Sequence, residues 1–268
     1  MSRYDEYAES YDSYKESATL VIPERALFER LTGDVEGRTA VDLACGTGYY
    51  TRNLRRRGAV DVLGVDLSRR MIEIATAREA AENLGIDYRV GDGTALPHTK
   101  AADLVTAVYL FPYATTTGDL AGMFTSARAC LHKGGRLVAL TVDSDFEPRP
   151  DLAEYGWTDA RFEDADGHRK ITIRFLGDPP ADLVNHQWPR GAYQRAAREA
   201  GFANLAWHPL EIPPGAVAGY GEAYWRELLE NPFITGLTAE AVLAGLGLLG
   251  WVCWAGFAGR RLTKSPAR

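Results

Sequence analysis

Cysteine, histidine and methionine are scarce in this chain, with three, five and three residues among 268. Cys45, Cys130 and Cys253 are too few and too scattered for a disulfide framework or a C-x-x-C metal site. No H-E-x-x-H run is present either, so no metal is expected. Long basic runs are also missing, and the net charge is -6. The densest basic patch, Arg55-Arg56-Arg57, falls at the end of a predicted helix, where cations complement the dipole. Nucleic acid and other polyanions are therefore not expected partners. Residues 1–14 are rich in acids and tyrosine and lack the basic and apolar regions of a signal peptide, so the chain is expected in the reducing cytoplasm. A chain of this length suits one α/β domain with an insertion and can bury a sizeable core.

What is present is a strand–loop–helix–strand signature. Val41-Asp42-Leu43-Ala44-Cys45-Gly46-Thr47-Gly48 is a short apolar run entering a loop with glycines at alternate positions. A helical segment follows, and the next apolar run, Val62-Leu63-Gly64-Val65-Asp66, ends in a carboxylate. In such a βαβ unit the loop lets a ligand approach bare backbone, and a strand-end acid binds ribose hydroxyls. A pyrophosphate turn would need G-x-G-x-x-G/A, but the third small position is Thr51 and Tyr49-Tyr50 crowd the helix start. The ligand expected is an adenosine compound other than a dinucleotide.

The same run resembles motif I of class I S-adenosylmethionine-dependent methyltransferases, acidic-x-G-x-G-x-G. Asp42 stands in the acidic place, Ala44 in that of the first glycine, and Gly46 and Gly48 in those of the other two. Asp66-Leu67-Ser68-Arg69-Arg70-Met71 resembles the family's D-x-S-x-x-M. There Asp66 would bind the ribose, Ser68 would cap the next helix and Met71 would lie along the adenine. Asp92-Gly93-Thr94 resembles the third-strand motif, with Asp92 accepting from the adenine amino group. The run ending in Tyr109-Leu110 reads as strand four, its end facing the sulfonium, and Lys133-Gly134-Gly135 as the turn into strand five. The resemblance implies an α/β, Rossmann-like seven-stranded sheet, parallel with one antiparallel strand and with helices on both faces. It also implies S-adenosylmethionine as cofactor and S-adenosylhomocysteine as product.

The expected organisation is one domain over 1–268: cap helices over 1–36, a cofactor-binding core over 37–142, a small β insertion over 143–190, and the rest of the sheet with a tail over 191–268. The opening Tyr4-Asp5-Glu6-Tyr7-Ala8-Glu9-Ser10-Tyr11-Asp12-Ser13-Tyr14 resembles the Y-D-x-x-A-x-x-Y-D start of small-molecule methyltransferases. On a helix these tyrosines share one face. Tyr11 and Tyr14 are expected to close over the sulfonium, whose charge is attracted to aromatic faces. In the insertion, strands over 157–163 and 169–176 flank a hairpin turn at Asp164-Ala165-Asp166-Gly167, and another strand covers 182–188.

Residues 146–157 and the hairpin resemble the toxoflavin synthase-like group, which implies an aromatic, nitrogen-containing natural-product precursor as acceptor. N- or C-methylation would follow. A quinone or phenolic ring, as in the ubiquinone-biosynthesis group, is the alternative, and a non-catalytic cofactor-binding protein is the other. Phe111, Tyr113, Trp157, Trp188 and Trp225 are candidate acceptor contacts, and His186 is the candidate base. The chain is read as a monomer or homodimer. Residues 241–259 carry no charge, and their glycines and the following Arg260-Arg261 argue for burial over membrane insertion. Strand seven is placed at 233–238 or at 251–257.

Overall fold

A computed structural model describes residues 8–93, 101–148 and 151–242. Thr94 and residues 243–268, including the second candidate for strand seven, lie outside the described residues, as do Tyr4 and Tyr7. Two helices open the chain, α1 (Ala8–Ser17) and α2 (Val21–Thr32). The core alternates β1 (Thr39–Leu43), α3 (Tyr49–Arg56), β2 (Asp61–Asp66), α4 (Arg69–Glu82), β3 (Asp87–Val90), β4 (Ala102–Val108), α5 (Thr117–Ala129) and β5 (Leu131–Val142). After β5 come β6 (Asp151–Leu152), β7 (Trp157–Ala165), β8 (His168–Phe175) and β9 (Ala181–Gln187). The chain then returns through α6 (Arg190–Glu199), β10 (Phe202–His208), α7 (Pro214–Tyr220), α8 (Glu222–Glu230) and β11 (Ile234–Ala241).

The main sheet has seven strands in the order β10-β11-β5-β4-β1-β2-β3. β1 to β5 are mutually parallel where they pair, and β11 runs antiparallel to both β5 and β10. Strand seven is therefore Ile234–Ala241, the first of the two expected positions. β10 stops at His208, because Pro209 has no N–H to continue the ladder.

Strand alternation sends Ala40 and Leu104 into one buried cluster and Val41, Leu43 and Val105 into another. Helices therefore cover both faces, as central parallel strands require. The chain runs outward from β1 to β2 and β3 and then crosses back to β4 on the other side of β1, so the strand order reverses between β1 and β4. Between them a crevice opens beyond the carboxyl ends of the strands, the standard ligand position of such sheets. Ser68 caps α4, its Oγ accepting from the Met71 N–H at 3.2 Å.

The insertion forms a separate four-stranded antiparallel sheet, β6-β7-β8-β9. Its hairpin turns at Asp166-Gly167, where Gly167 has φ +76°. Among the described residues no helix is long and apolar enough to cross a membrane.

Candidate active site

The loop after β1 takes left-handed backbone at Ala44, Gly46 and Gly48 (φ +58°, +55° and +80°). The tips of β1 and β2 are clasped: Asp66 accepts the Gly46 N–H at 2.9 Å through Oδ2 and the Ser68 N–H at 2.8 Å through Oδ1. The two glycines answer different needs. A Cβ on Gly46 would sit 3.3 Å from the Tyr11 ring, so this residue keeps the loop open beneath the cap. A Cβ on Gly48 would overlap the Tyr88 hydroxyl, so Gly48 serves packing and does not line the cavity.

Asp42 also stands off the cavity wall. Its carboxyl is buried and accepts from the Thr51 hydroxyl at 2.6 Å and the Thr106 hydroxyl at 2.7 Å, tying α3 and β4 to β1. Burial pushes its pKa up to about 6, against the two hydroxyls that pull it down.

A cavity of about 320 Å³ runs from this loop into the interior. At one end stand Asp66, Leu67, Met71, Asp92 and Gly93. Leu67 is 54% exposed, an apolar side chain left bare beside two carboxylates. Carboxylates for hydroxyls and an amino group, with a leucine and a thioether for a flat ring, fit an adenosine. Ala44 and Tyr109 line the passage inward.

The other end is roofed by α1 and the insertion sheet. The Tyr14 ring centre lies 4.1 Å from that of Phe175, and Tyr11 stacks on Phe175 at 6.4 Å. Trp157, Ile173 and Phe233 continue the wall. The cap is moored to α4 by ion pairs, Arg78 to Asp12 and Glu16 and Arg70 to Glu9. Burial, with the nearby Glu24 carboxylate, raises the pKa values of Tyr11, Tyr14 and Tyr109 well above the ordinary phenol value. These phenols stay protonated at neutral pH, and Tyr14 and Tyr109 donate to the Tyr155 carbonyl and the Glu24 carboxylate.

Several expected contacts lie elsewhere. Phe111 is fully buried and stacks on Phe124 at 4.3 Å, behind the cavity. Trp188 is buried in the same cluster, donating its indole N–H to the Ala114 carbonyl at 2.9 Å. Trp225 packs against Tyr155 and donates to the Ala216 carbonyl at 3.2 Å. These three bury their apolar area in protein and do not reach the cavity wall.

His186 does not line the cavity either; its Nδ1 lies 2.7 Å from Nε2 of His168. Burial, then the charges of His168 and Lys170, lower its pKa. The reason is strand parity: Leu183 and Asn185 line the cavity, and His186 takes the opposite face. Tyr113 and Trp157 do line it, as does Phe175, which had not been expected.

The tyrosine stripe also holds something unforeseen. The Lys15 ammonium stands 5.4, 5.1 and 5.4 Å from the ring centres of Tyr11, Tyr50 and Tyr109 and is ion-paired with Glu24. The aromatic faces expected to greet a sulfonium already surround a cation of the chain itself. No sequence motif marks this pair, which joins two helices through their tertiary packing.

A family model described as "Methyltransferase domain" matches residues 40–135. The chain is 34% identical over 122 residues to the demethylmenaquinone methyltransferase of Lactococcus lactis, covering 43% of this chain and 46% of that protein. It is 28% identical over 131 residues to the ubiquinone biosynthesis O-methyltransferase of Coxiella burnetii, covering 48% of this chain and 53% of that one. The chain thus spans about half the length of these curated relatives. An S-adenosylmethionine-dependent methyltransferase structure from Mesorhizobium loti shares its fold, with a TM-score of 0.60 at 24% identity over 81% of this chain and 97% of that one. Residues 40–135 thus match a methyltransferase domain, and the sheet around the cavity shares the fold of an S-adenosylmethionine-dependent methyltransferase.

Proposed function

We propose that the protein transfers the methyl group of S-adenosylmethionine to a small, flat aromatic acceptor bound between the cap and the insertion sheet. One observation carries this reading: a single cavity links the Asp66–Asp92 end to a buried aromatic chamber. Bound there, the cofactor would supply a methyl group already activated by its positive sulfur.

The chain's own work is positional. Asp66 and Asp92 would hold the nucleoside, and the Gly46 backbone leaves room beside it. Tyr14, Phe175 and Trp157 exclude water and fix the plane of the acceptor. Holding the acceptor atom about 3 Å from the methyl in line with the breaking bond supplies most of the acceleration. The insertion's resemblance to heterocycle methyltransferases supports a nitrogen heterocycle as acceptor. The relatives named for demethylmenaquinone and ubiquinone biosynthesis support a phenolic ring as the second reading.

Incubating the protein with labelled S-adenosylmethionine and pooled heterocycles and phenols tests the reading. Label in an aromatic product supports it. Cofactor binding without any transfer to a small molecule would leave a cofactor-binding protein instead.

A further inference from the structure

Where the glycine loop meets the aromatic chamber, the cavity wall carries a charged couple that adenosine recognition does not use. Lys15 and Glu24 are 3% and 1% exposed, are ion-paired, and both line the cavity. Glu24 is fully engaged: beyond Lys15 it accepts from the Tyr50 hydroxyl at 2.5 Å and the Tyr109 hydroxyl at 2.8 Å. Lys15 has one oxygen partner among the described residues, Glu24, and ring faces for the rest of its surroundings. Burying an ion pair in an apolar wall is costly, and an apolar replacement is often neutral or stabilising. A pair kept at a ligand wall therefore has a ligand to meet. Asn185 lines the same cavity at 5% exposure, and its carboxamide has no hydrogen-bond partner among the described residues. A carboxamide on the cavity wall can both donate to and accept from a polar group of a ligand.

We propose that Lys15, held in place by Glu24, recognises an acceptor whose reacting atom carries a negative charge. The class is the anion of an acidic phenol, enol or cyclic imide, with Asn185 hydrogen-bonding a second polar group on the same ring. This rests on the methyl-transfer reading and deepens it.

The acceptor gives its proton to water before it enters. Its lone pair then forms the bond to the methyl carbon, and the electrons of the methyl–sulfur bond pass to sulfur. Two opposite charges vanish together in a low-dielectric chamber, which favours the step. No protein base is needed, in keeping with a Glu24 that already accepts three hydrogen bonds.

The test is binding, read by equilibrium dialysis on protein loaded with S-adenosylhomocysteine at mildly alkaline pH. The probes are 4-nitrophenolate and its uncharged isostere 4-nitrotoluene. The wild type is expected to prefer the phenolate by about tenfold or more, the scale of a charge-assisted hydrogen bond. Lys15→Met should abolish the preference. Because that change strands Glu24, the double variant Lys15→Met/Glu24→Gln removes both charges together, and retained S-adenosylhomocysteine binding certifies its fold. No preference for the phenolate in the wild type, no binding of it, or a preference that survives in the double variant would overturn the proposal. Labelled methyl transfer to neutral aromatic amines, undiminished in the double variant, would overturn it while leaving the methyl-transfer reading standing. Failure of the wild type to bind S-adenosylmethionine would overturn both.

Discussion

Replacing Asp42 by asparagine separates scaffold from site within the signature loop. The wild-type carboxyl is buried between Thr51 and Thr106 and titrates at about 6 in the fold, against 3.8 for an ordinary aspartate. A raised acid pKa means that the folded chain binds the extra proton more tightly than the unfolded chain does. Stability from this group is therefore complete below the unfolded pKa and is lost as pH rises through the folded one. A gap of roughly two units corresponds to about 3 kcal/mol. The carboxamide of Asp42→Asn would keep the shape and the hydroxyl contacts without a charge to bury. Denaturant unfolding of both proteins at about pH 4 and about pH 7.5 should show the variant gaining roughly 2–3 kcal/mol on the wild type across that interval. S-adenosylhomocysteine affinity should hardly change, since Asp42 does not line the cavity. A pH-independent difference, or a tenfold loss of ligand affinity, would refute the reasoning and return Asp42 to the binding site.

Other perturbations follow from the same geometry. Asp66→Ala should weaken S-adenosylmethionine binding by about 1.5–3 kcal/mol for each charge-assisted hydrogen bond lost, read by calorimetry; unchanged affinity would remove Asp66 from the site. Gly156→Ala places a Cβ 2.6 Å from the Tyr14 ring at φ +97°. It should cost at least about 1 kcal/mol and lower Tm by a few degrees, and an unchanged Tm would count against the roof packing. His186→Ala should leave the pH–rate profile intact, because the ring sits with His168 off the cavity wall; loss of an acidic limb would restore it as a base.

The sheet and the backbone geometry of the glycine loop were legible in the sequence because their signals are local. Alternating glycines, a strand-end Asp66 and a capping Ser68 each declare a backbone geometry within a few residues. The hairpin at Asp166-Gly167 was legible for the same reason. The aromatic end of the cavity was not, because residue type does not say which neighbour an aromatic ring will find. Trp157 reached the cavity wall, while Trp188, Trp225 and Phe111 went to the core. Counting parity along β9 from Leu183 would have chosen Asn185 over His186. Lys15 and Glu24 sit on separate helices whose packing no periodicity predicts.

In the proposed reaction one cavity brings S-adenosylmethionine and a small aromatic acceptor together. The most direct measurement is a structure of the protein crystallised with S-adenosylhomocysteine and a methylated product recovered from the labelled reaction. The nucleoside is expected on Asp66 and Asp92 and the product ring between Tyr14, Phe175 and Trp157, its methylated atom facing the sulfur. Either ligand found outside this cavity, or a product ring on the His168–His186 side of the insertion sheet, would contradict it.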